Sequence, residues 1–163
     1  MLDAGVYSGS GLTSVDAKGR VSVPACLRKD VPGEVHSRSI YVSASVHLPY
    51  LYVSGAAMRE IQRQQISAET RVLASEEERK ALAIARSHFG TGEVLPMDSS
   101  GRFVMPDIMK AMARFAGNEL LCFGDGDSFQ IWCVQRLAAT TEPEYANARF
   151  ALECWRDVQA RKA

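Results

Sequence analysis

The sequence predicts an α+β fold in which two tandem β-rich modules form one pseudo-symmetric body, with a helical insert and a C-terminal helix. The main observation is a repeat: Asp-Ala-Lys-Gly-Arg-Val-Ser-Val-Pro at residues 16–24 recurs as Asp-Ser-Ser-Gly-Arg-Phe-Val-Met-Pro at residues 98–106. A short amphipathic stretch and two apolar runs follow each copy, and segments of helical periodicity lie between the copies. Such repetition indicates duplication of one structural unit.

Each copy begins with a tight turn between two strands. Asp16 and Asp98 stand first in the turn, where an aspartate side chain accepts hydrogen bonds from backbone N–H groups ahead of it. Gly19 and Gly101 stand fourth, where glycine tolerates the unusual backbone angles. We predict that these four residues organise the turns. The arginine after each glycine then opens a half-buried strand that a proline ends.

A short helix and two further strands complete each module. The predicted short helices cover residues 25–29 and 107–115. The predicted strands cover residues 39–43, 50–53, 119–123 and 129–132, and the last two are joined by a hairpin loop at residues 124–128.

Two helices are predicted between the modules and one after them. Apolar spacing marks a helix over residues 56–66, and Ser75 begins a capping box for a second helix that reaches about residue 88. The last helix, roughly residues 143–160, is expected to dock on the body or to mediate contacts between subunits through Tyr145, Phe150, Leu152 and Trp155. The predicted divisions are module 1 at residues 10–55, the insert at 56–90, module 2 at 91–134 and a C-terminal helical segment at 135–163.

Length and composition limit the class of protein. The chain has 163 residues and 47% hydrophobic content, which is enough for a substantial core, and it lacks a signal-peptide pattern or an apolar run of membrane-span length. We therefore expect a cytoplasmic protein with no membrane partner. The 19 basic residues balance the 19 acidic ones, which argues against coating nucleic acid through overall positive charge. Any contact with DNA must come from a local patch, multiplied by assembly.

Candidate metal-binding and catalytic residues are sparse. The four cysteines have unrelated spacings without a Cys-x-x-Cys pair, so we expect reduced, mostly buried thiols and neither a disulfide nor a zinc site. The three histidines lie on different predicted elements without a partner nucleophile. Residues 125–128 resemble the start of a calcium loop but lack the distal glutamate, which favours a hairpin turn. The sequence therefore predicts no metal, no cofactor and no enzymatic activity.

The repeated motif resembles a known family of regulators. Residues 16–24, the second Asp-x-x-Gly-Arg at residues 98–102 and the Phe-Gln-Ile-Trp strand after a Gly/Asp loop are similar to the MraZ family of bacterial transcriptional regulators, which consist of tandem modules of the AbrB type. The match runs from about Gly11 to Trp155. Three features depart from the pattern: Ser-Ser in the second turn, the Phe-Val-Met strand after it, and an N-terminal Gly/Ser segment that looks unusually loose.

The resemblance implies a fold, a partner and an assembly. The fold would be two AbrB-like modules of the swapped-hairpin type, and the assembly a ring-shaped homo-oligomer, an octamer or larger. The Asp-x-x-x-Arg turns of several subunits would read short direct repeats in double-stranded DNA, in the operator of the protein's own operon within a cell-division and cell-wall gene cluster. The expected location is therefore the nucleoid in the cytoplasm.

Four basic residues of module 1 are candidate DNA ligands. Arg20 suits base reading, because a guanidinium donates two parallel hydrogen bonds to guanine O6 and N7 in the major groove. Lys18, at the tip of the turn, suits a phosphate or a second base. Arg28 and Lys29, on the short helix, would hold the DNA backbone and make affinity depend on salt.

The charges of the two copies differ. Residues 1–55 carry five basic and four acidic side chains, whereas residues 93–134 carry three basic and six acidic ones. Module 1 is therefore the expected DNA face. Arg102 is the fifth candidate ligand, although its own copy lacks a neighbouring basic charge.

Two other functions are compatible with parts of the sequence. An antitoxin-like regulator of the AbrB type would bind DNA and a protein partner, but such modules are short and single. A thiol enzyme would use Cys26 or Cys122, and the sequence offers it neither a base nor an oxyanion loop.

Overall fold

The computed structural model describes residues 1–70 and 75–162. Residues 71–74 of the predicted insert and Ala163 of the predicted C-terminal segment lie outside the described residues. The strands are β1 (Ser10–Ser14), β2 (Arg20–Ser22), β3 (Ser39–Ser43), β4 (Leu51–Gly55), β5 (Gly92–Pro96), β6 (Arg102–Val104), β7 (Glu119–Gly124) and β8 (Phe129–Cys133). The helices are α1 (Ala25–Arg28), α2 (Ala57–Thr70), α3 (Glu76–Ser87), α4 (Asp107–Met112), α5 (Val134–Ala139) and α6 (Ala146–Lys162), with 3-10 turns at His88–Thr91 and Pro143–Tyr145. The fold is α+β, as predicted.

Six strands form one antiparallel sheet in the order β1-β7-β8-β4-β3-β5. The first strand of each sequence copy pairs with the third strand of the other copy. Leu12 of β1 lies opposite Leu121 of β7, and Leu95 of β5 lies opposite Ile40 of β3. The strand order is also symmetric about the β8–β4 pair. The equivalent strands of the two copies, β1 and β5, β7 and β3, and β8 and β4, lie at matching distances on either side of it. The repeat in the sequence is thus a two-fold repeat in the sheet.

The second strands of the two copies form a separate antiparallel ribbon, β2 with β6. Val21 and Phe103 lie opposite each other in this ribbon and point into the core, where they are 0% and 2% exposed. The prediction of a turn between two strands is confirmed, but those strands belong to different sheets. One isolated bridge between Val15 and Val21 joins the arms of the first turn.

The core has a large cluster on one face of the sheet and smaller ones on the other. The large cluster lies between the sheet and the β2–β6 ribbon, with Leu27 of α1 and Met109 of α4. On the other face, Trp132 of β8 packs with α5 and α6. Alternation along the strands explains this division, because Leu120 points into the large cluster and Leu121 into the opposite one.

The N-terminal segment packs firmly, so the expectation of a loose segment is wrong. The N–H of Tyr7 donates to the carbonyl of Gly126 (2.7 Å), and the N–H of Gly126 donates back to Tyr7 (3.1 Å). The Tyr7 ring is 1% exposed, lies 5.3 Å from the Phe129 ring between centroids, and its hydroxyl donates to the carbonyl of Ala4 (2.7 Å). A Cβ on Gly5 would lie 2.5 Å from a backbone carbonyl oxygen, so glycine in this segment allows close packing.

The helices outside the modules follow the predictions in part. Ser75 caps α3 by accepting a hydrogen bond from the N–H of Glu78 (3.1 Å). On α6, Leu152 is buried and the indole N–H of Trp155 donates to Ser10 Oγ (3.0 Å), so the docking of this helix is confirmed. Phe150 on the same helix is 64% exposed. The six-residue helix α5 lies at the start of the segment predicted to be helical from residue 135. A separate helix was not predicted there, because six residues are too few to show a helical period.

The structure also bears on a membrane role. Among the described residues, no helix combines the length and the apolar character that crossing a lipid bilayer requires.

We predict that Tyr7 is a major contributor to stability. Tyr7→Ala should lower the free energy of unfolding by about 3 to 5 kcal/mol, because it removes a buried aromatic ring. Tyr7→Phe should cost only about 1 kcal/mol, because it removes one hydrogen bond. Urea unfolding of both variants tests this, with Val6→Ala, a truncation at a 71% exposed position, as a control of near-zero effect. Similar stabilities of Tyr7→Ala and Val6→Ala would contradict the prediction.

Candidate nucleic-acid interface

The first turn is built around the carboxylate of Asp16. Its Oδ1 accepts hydrogen bonds from the backbone N–H groups of Lys18 and Arg20, both at 2.9 Å. Its Oδ2 accepts from Nε of Arg20 at 2.7 Å. The N–H of Gly19 donates to the Asp16 carbonyl at 3.0 Å, and Gly19 has a φ of +79°, which favours glycine. One carboxylate thus fixes both the turn and the arginine side chain.

The second turn repeats this geometry. Oδ1 of Asp98 accepts from the N–H groups of Ser100 and Arg102, both at 2.9 Å, and Oδ2 accepts from Nε of Arg102, also at 2.9 Å. Gly101 has the same φ of +79°. The substitutions between the two copies therefore leave the turn geometry unchanged.

Each arginine keeps its terminal nitrogens available. Arg20 and Arg102 use Nε for the aspartate, and within residues 1–70 and 75–162 their terminal nitrogens have no hydrogen-bond partner. The two side chains are 38% and 40% exposed. A guanidinium held in this way presents two parallel donors to an external acceptor.

The ribbon brings both turns onto one surface. The carbonyl of Gly19 accepts from the N–H of Met105 (2.8 Å), and the carbonyl of Gly101 accepts from the N–H of Val23 (2.9 Å). The solvent face of the ribbon carries Arg20, Ser22, Arg102 and Val104, of which Val104 is 58% exposed. A cleft of about 570 Å³ beside this face is lined by both arginines, Val104 and His36.

The short helices place their cations across the repeat. Nη1 of Arg28, on α1 of copy one, donates to the carbonyl of Ser100 in the turn of copy two (3.0 Å). The second copy has no basic neighbour of its own for Arg102, but Arg28 from the other copy brings a basic group to this turn. Lys29 is exposed at the end of α1.

The structure places two basic residues, Lys110 and Arg38, where the sequence did not predict them. Lys110 of α4 lies near the first turn, since its Nζ is 3.9 Å from where a Cβ on Gly19 would be. The sequence contained a signal for it, because Lys110 and Arg28 each stand four residues after the proline of their motif. Arg38, one of the five basic residues counted for residues 1–55, is buried, and its Nη1 donates to the carbonyl of Arg28 (2.8 Å).

The surroundings of the cysteines and of the Gly/Asp loop bear on the alternative readings as a thiol enzyme or a calcium site. Cys122 is fully buried, and burial raises the pKa of its thiol well above the usual range, which disfavours the reactive thiolate. Cys26 is partly buried, with its thiol directed at the carbonyl of Ser10 (3.5 Å), whereas Cys154 is exposed. The Gly/Asp loop is a hairpin, in which the N–H of Asp125 donates to the carbonyl of Ser128 (2.8 Å). The described part of the chain has no cluster of three or more potential metal ligands.

Comparison with known proteins identifies relatives along most of the chain. A protein named transcriptional regulator MraZ from Methylocella silvestris is 33% identical over 150 residues, which cover 91% of this chain and 85% of the relative. Its namesake from Beijerinckia indica is 35% identical, with coverage of 72% and 68%, and that from Rhizobium meliloti is 30% identical, with coverage of 76% and 80%. No family model matches the chain. The relatives carry the name of a regulator rather than that of an enzyme.

The hydrogen bonds of the first turn predict its dependence on pH. The backbone N–H and the guanidinium of Arg20 lower the pKa of Asp16 from 3.8 to about 2, because they stabilise the ionised carboxylate. The same contacts from Arg102 lower the pKa of Asp98. A lowered pKa means that the ionised carboxylate stabilises the turn fully above pH 3.8 and that this stabilisation is lost as pH falls through about 2.

An NMR titration of the side-chain carboxyl carbons measures this directly. Asp16 should titrate near pH 2. In Arg20→Gln its pKa should rise but stay below 3.8, because the backbone N–H contacts remain. A midpoint at the ordinary value of 3.8 in the unsubstituted protein would show that the turn does not form as described.

Proposed function

The chain belongs to the MraZ family of transcriptional regulators, and from this premise we propose that it reads short repeated boxes in double-stranded DNA through its two Asp-x-x-Gly-Arg turns. The observation that carries the proposal is the anchoring of each arginine by its aspartate. With Nε held, the terminal nitrogens of Arg20 and Arg102 can meet guanine O6 and N7 together in the major groove. An exposed two-stranded ribbon is also an element that this groove admits.

The other basic residues have supporting roles in this proposal. Lys18 at the tip of the first turn contacts a phosphate or a second base, and Lys29 on α1 contacts the DNA backbone. Arg28 contributes charge beside the second turn, where its guanidinium lies.

The aspartates and glycines organise the turns rather than contact DNA. A carboxylate that faced phosphates would be repelled, whereas Asp16 and Asp98 each hold two backbone N–H groups and one guanidinium. Gly19 and Gly101 supply the positive φ that closes each turn.

We assign the duplicated units to tandem AbrB-like modules of the swapped-hairpin type. The exchange of first strands between the copies supports this assignment. Module 1 then covers residues 10–55 and module 2 residues 91–134, with the insert at 56–90 and the C-terminal helical segment at 135–163 outside them.

The neutral net charge favours binding by several subunits together. A single turn offers few contacts, so tight binding requires several turns on linked DNA boxes. A ring-shaped homo-oligomer, an octamer or larger, would provide them, and the exposed Phe150 of α6 is available for contacts between subunits. The DNA target in this proposal is the protein's own operator, within a cell-division and cell-wall gene cluster, and the regulator acts at the nucleoid in the cytoplasm.

Arg20→Ala should lower affinity for specific DNA by about 1 to 3 kcal/mol for each engaged site, because it removes a bidentate contact with a base. Arg20→Lys keeps the charge but loses the paired donors, so it should retain binding to a random-sequence duplex while losing the preference for the specific one. Fluorescence anisotropy measures this, with the duplex upstream of the protein's own gene and a random duplex as the two probes.

Lys80→Ala is the matched control for these variants, since Lys80 is exposed on α3, outside both turns and the ribbon. It should bind like the unsubstituted protein. If Arg20→Ala also binds the upstream duplex normally, Arg20 does not read DNA. If the unsubstituted protein does not prefer that duplex to the random one, the assignment to its own operon is wrong.

Light scattering should give a mass that is at least eight times the 17.9 kDa of one subunit. A duplex with several boxes should bind about a hundredfold more tightly than a duplex with one box, because later contacts form within the same complex. A monomer that binds a single box with nanomolar affinity would contradict the requirement for assembly.

A further inference from the structure

The cations of the two short helices lie on the turns of the opposite copies. Arg28 donates from Nη1 to the carbonyl of Ser100 (3.0 Å), although these residues are 72 positions apart. Lys110, at the equivalent position of the second copy, has its Nζ near Gly19. A turn and the helix cation beside it therefore come from different halves of the sequence.

The ribbon explains this exchange. Because β2 and β6 are antiparallel, the end of each strand lies beside the turn that begins the other, as the bond from Val23 N–H to the Gly101 carbonyl shows. Each short helix starts within two residues of that point, so its first turn must lie over the opposite turn. Arg38, buried behind α1, fixes the end of that helix through the Arg28 carbonyl.

We propose that each DNA-binding element is composite, consisting of the turn of one copy and the helix cation of the other. Lys110 contacts a DNA phosphate beside the turn at residues 16–19. Arg28 is a positioning residue for the turn at residues 98–101 and adds its charge there. This inference rests on the proposed function and assigns Lys110 to the DNA-binding surface.

The two composite elements differ less in net charge than the two sequence copies do. The first element combines Lys18, Arg20 and Lys110 with the carboxylates of Asp16 and Asp107. The second element combines Arg28 and Arg102 with the carboxylate of Asp98. Among these named side chains, cations exceed carboxylates by one in both elements, whereas counting by sequence copy leaves the second copy acidic. Adding Lys29 and Asp30, which follow Arg28, leaves the excess in the second element unchanged.

The two cations differ in how firmly they are held. Lys110 is 3.4 Å from Asp107 Oδ1, a weak contact that leaves its ammonium group free to reach a phosphate. Arg28 packs so closely on the second turn that a Cβ on Gly101 would overlap its Cδ. Loss of Arg28 should therefore disturb Arg102, and loss of Lys110 should mainly remove charge.

Double-substitution measurements on the upstream duplex test the composite arrangement. The losses from Arg28→Ala and Arg102→Ala should overlap, so that the double variant binds better than the product of the single effects predicts. Arg28→Ala and Arg20→Ala should instead combine multiplicatively. Lys110→Ala should reduce the slope of log affinity against log salt by roughly one, with Lys80→Ala as the unchanged control.

The opposite results would overturn the inference. Overlap of Arg28 with Arg20 rather than with Arg102 would show that each element belongs to one copy. An unchanged salt slope in Lys110→Ala would remove Lys110 from the surface. If the unsubstituted protein binds neither the upstream nor the random duplex, the proposed function fails instead.

A test without DNA uses the two turn glycines as a matched pair. Gly19→Ala and Gly101→Ala impose the same strain, because both residues have a φ of +79°. The new methyl group at Gly19 meets the Met105 carbonyl at an ordinary 3.5 Å, whereas at Gly101 it collides with Arg28. Gly101→Ala should therefore lower the melting temperature more than Gly19→Ala, and this excess should disappear in an Arg28→Ala background. Equal effects in both backgrounds would show that the turn does not hold Arg28 in place, which contradicts its positioning role.

Discussion

The pairing of β2 with β6 is the constraint on which the candidate site depends. It buries Val21 and Phe103 against the sheet and satisfies the carbonyls of Gly19 and Gly101 with N–H groups from the opposite copy. A turn that stood alone would be a surface loop, free to move relative to its neighbour. Joined through the ribbon, the two turns are held by backbone hydrogen bonds and by the core beneath them.

The aspartate of each turn couples backbone shape to side-chain direction. Asp16 holds two N–H groups with one oxygen and the guanidinium of Arg20 with the other. The ion pair is exposed and adds little to stability, since solvent screens it. Its effect is to restrict the rotamers of Arg20. In the proposed function, this restriction reduces the entropy that DNA binding must otherwise remove.

The sequence predicted the local structure better than the long-range contacts. The repeat located both turns, and apolar alternation located strands such as β3 (Ser39–Ser43), because these signals depend on neighbouring residues. Periodicity does not show which strand pairs with which. Neither the β2–β6 ribbon nor the position of Arg28 on the second turn could therefore be predicted from it. The burial of Arg38 and Tyr7 was missed for the same reason, since both are held by distant segments. The position of Lys110 near a turn could have been predicted, because the repeat aligns Lys110 with Arg28.

Duplication with exchange also explains why the two elements can differ in chemistry while they keep one geometry. The same turn bonds fix the backbone and the anchored arginine in both copies, so the residue at the tip of the turn can vary without loss of that shape. At the tip, Lys18 in the first turn corresponds to Ser100 in the second, and the helix cations are Lys110 and Arg28 respectively. Besides the anchored arginine of each turn, the first element therefore has two ammonium groups, and the second has one further guanidinium held against its backbone. Mobile point charges suit phosphates at variable positions, whereas a fixed planar group favours one arrangement. In the proposed complex with DNA, the first element is thus suited to adaptable contact and the second to a more rigid one.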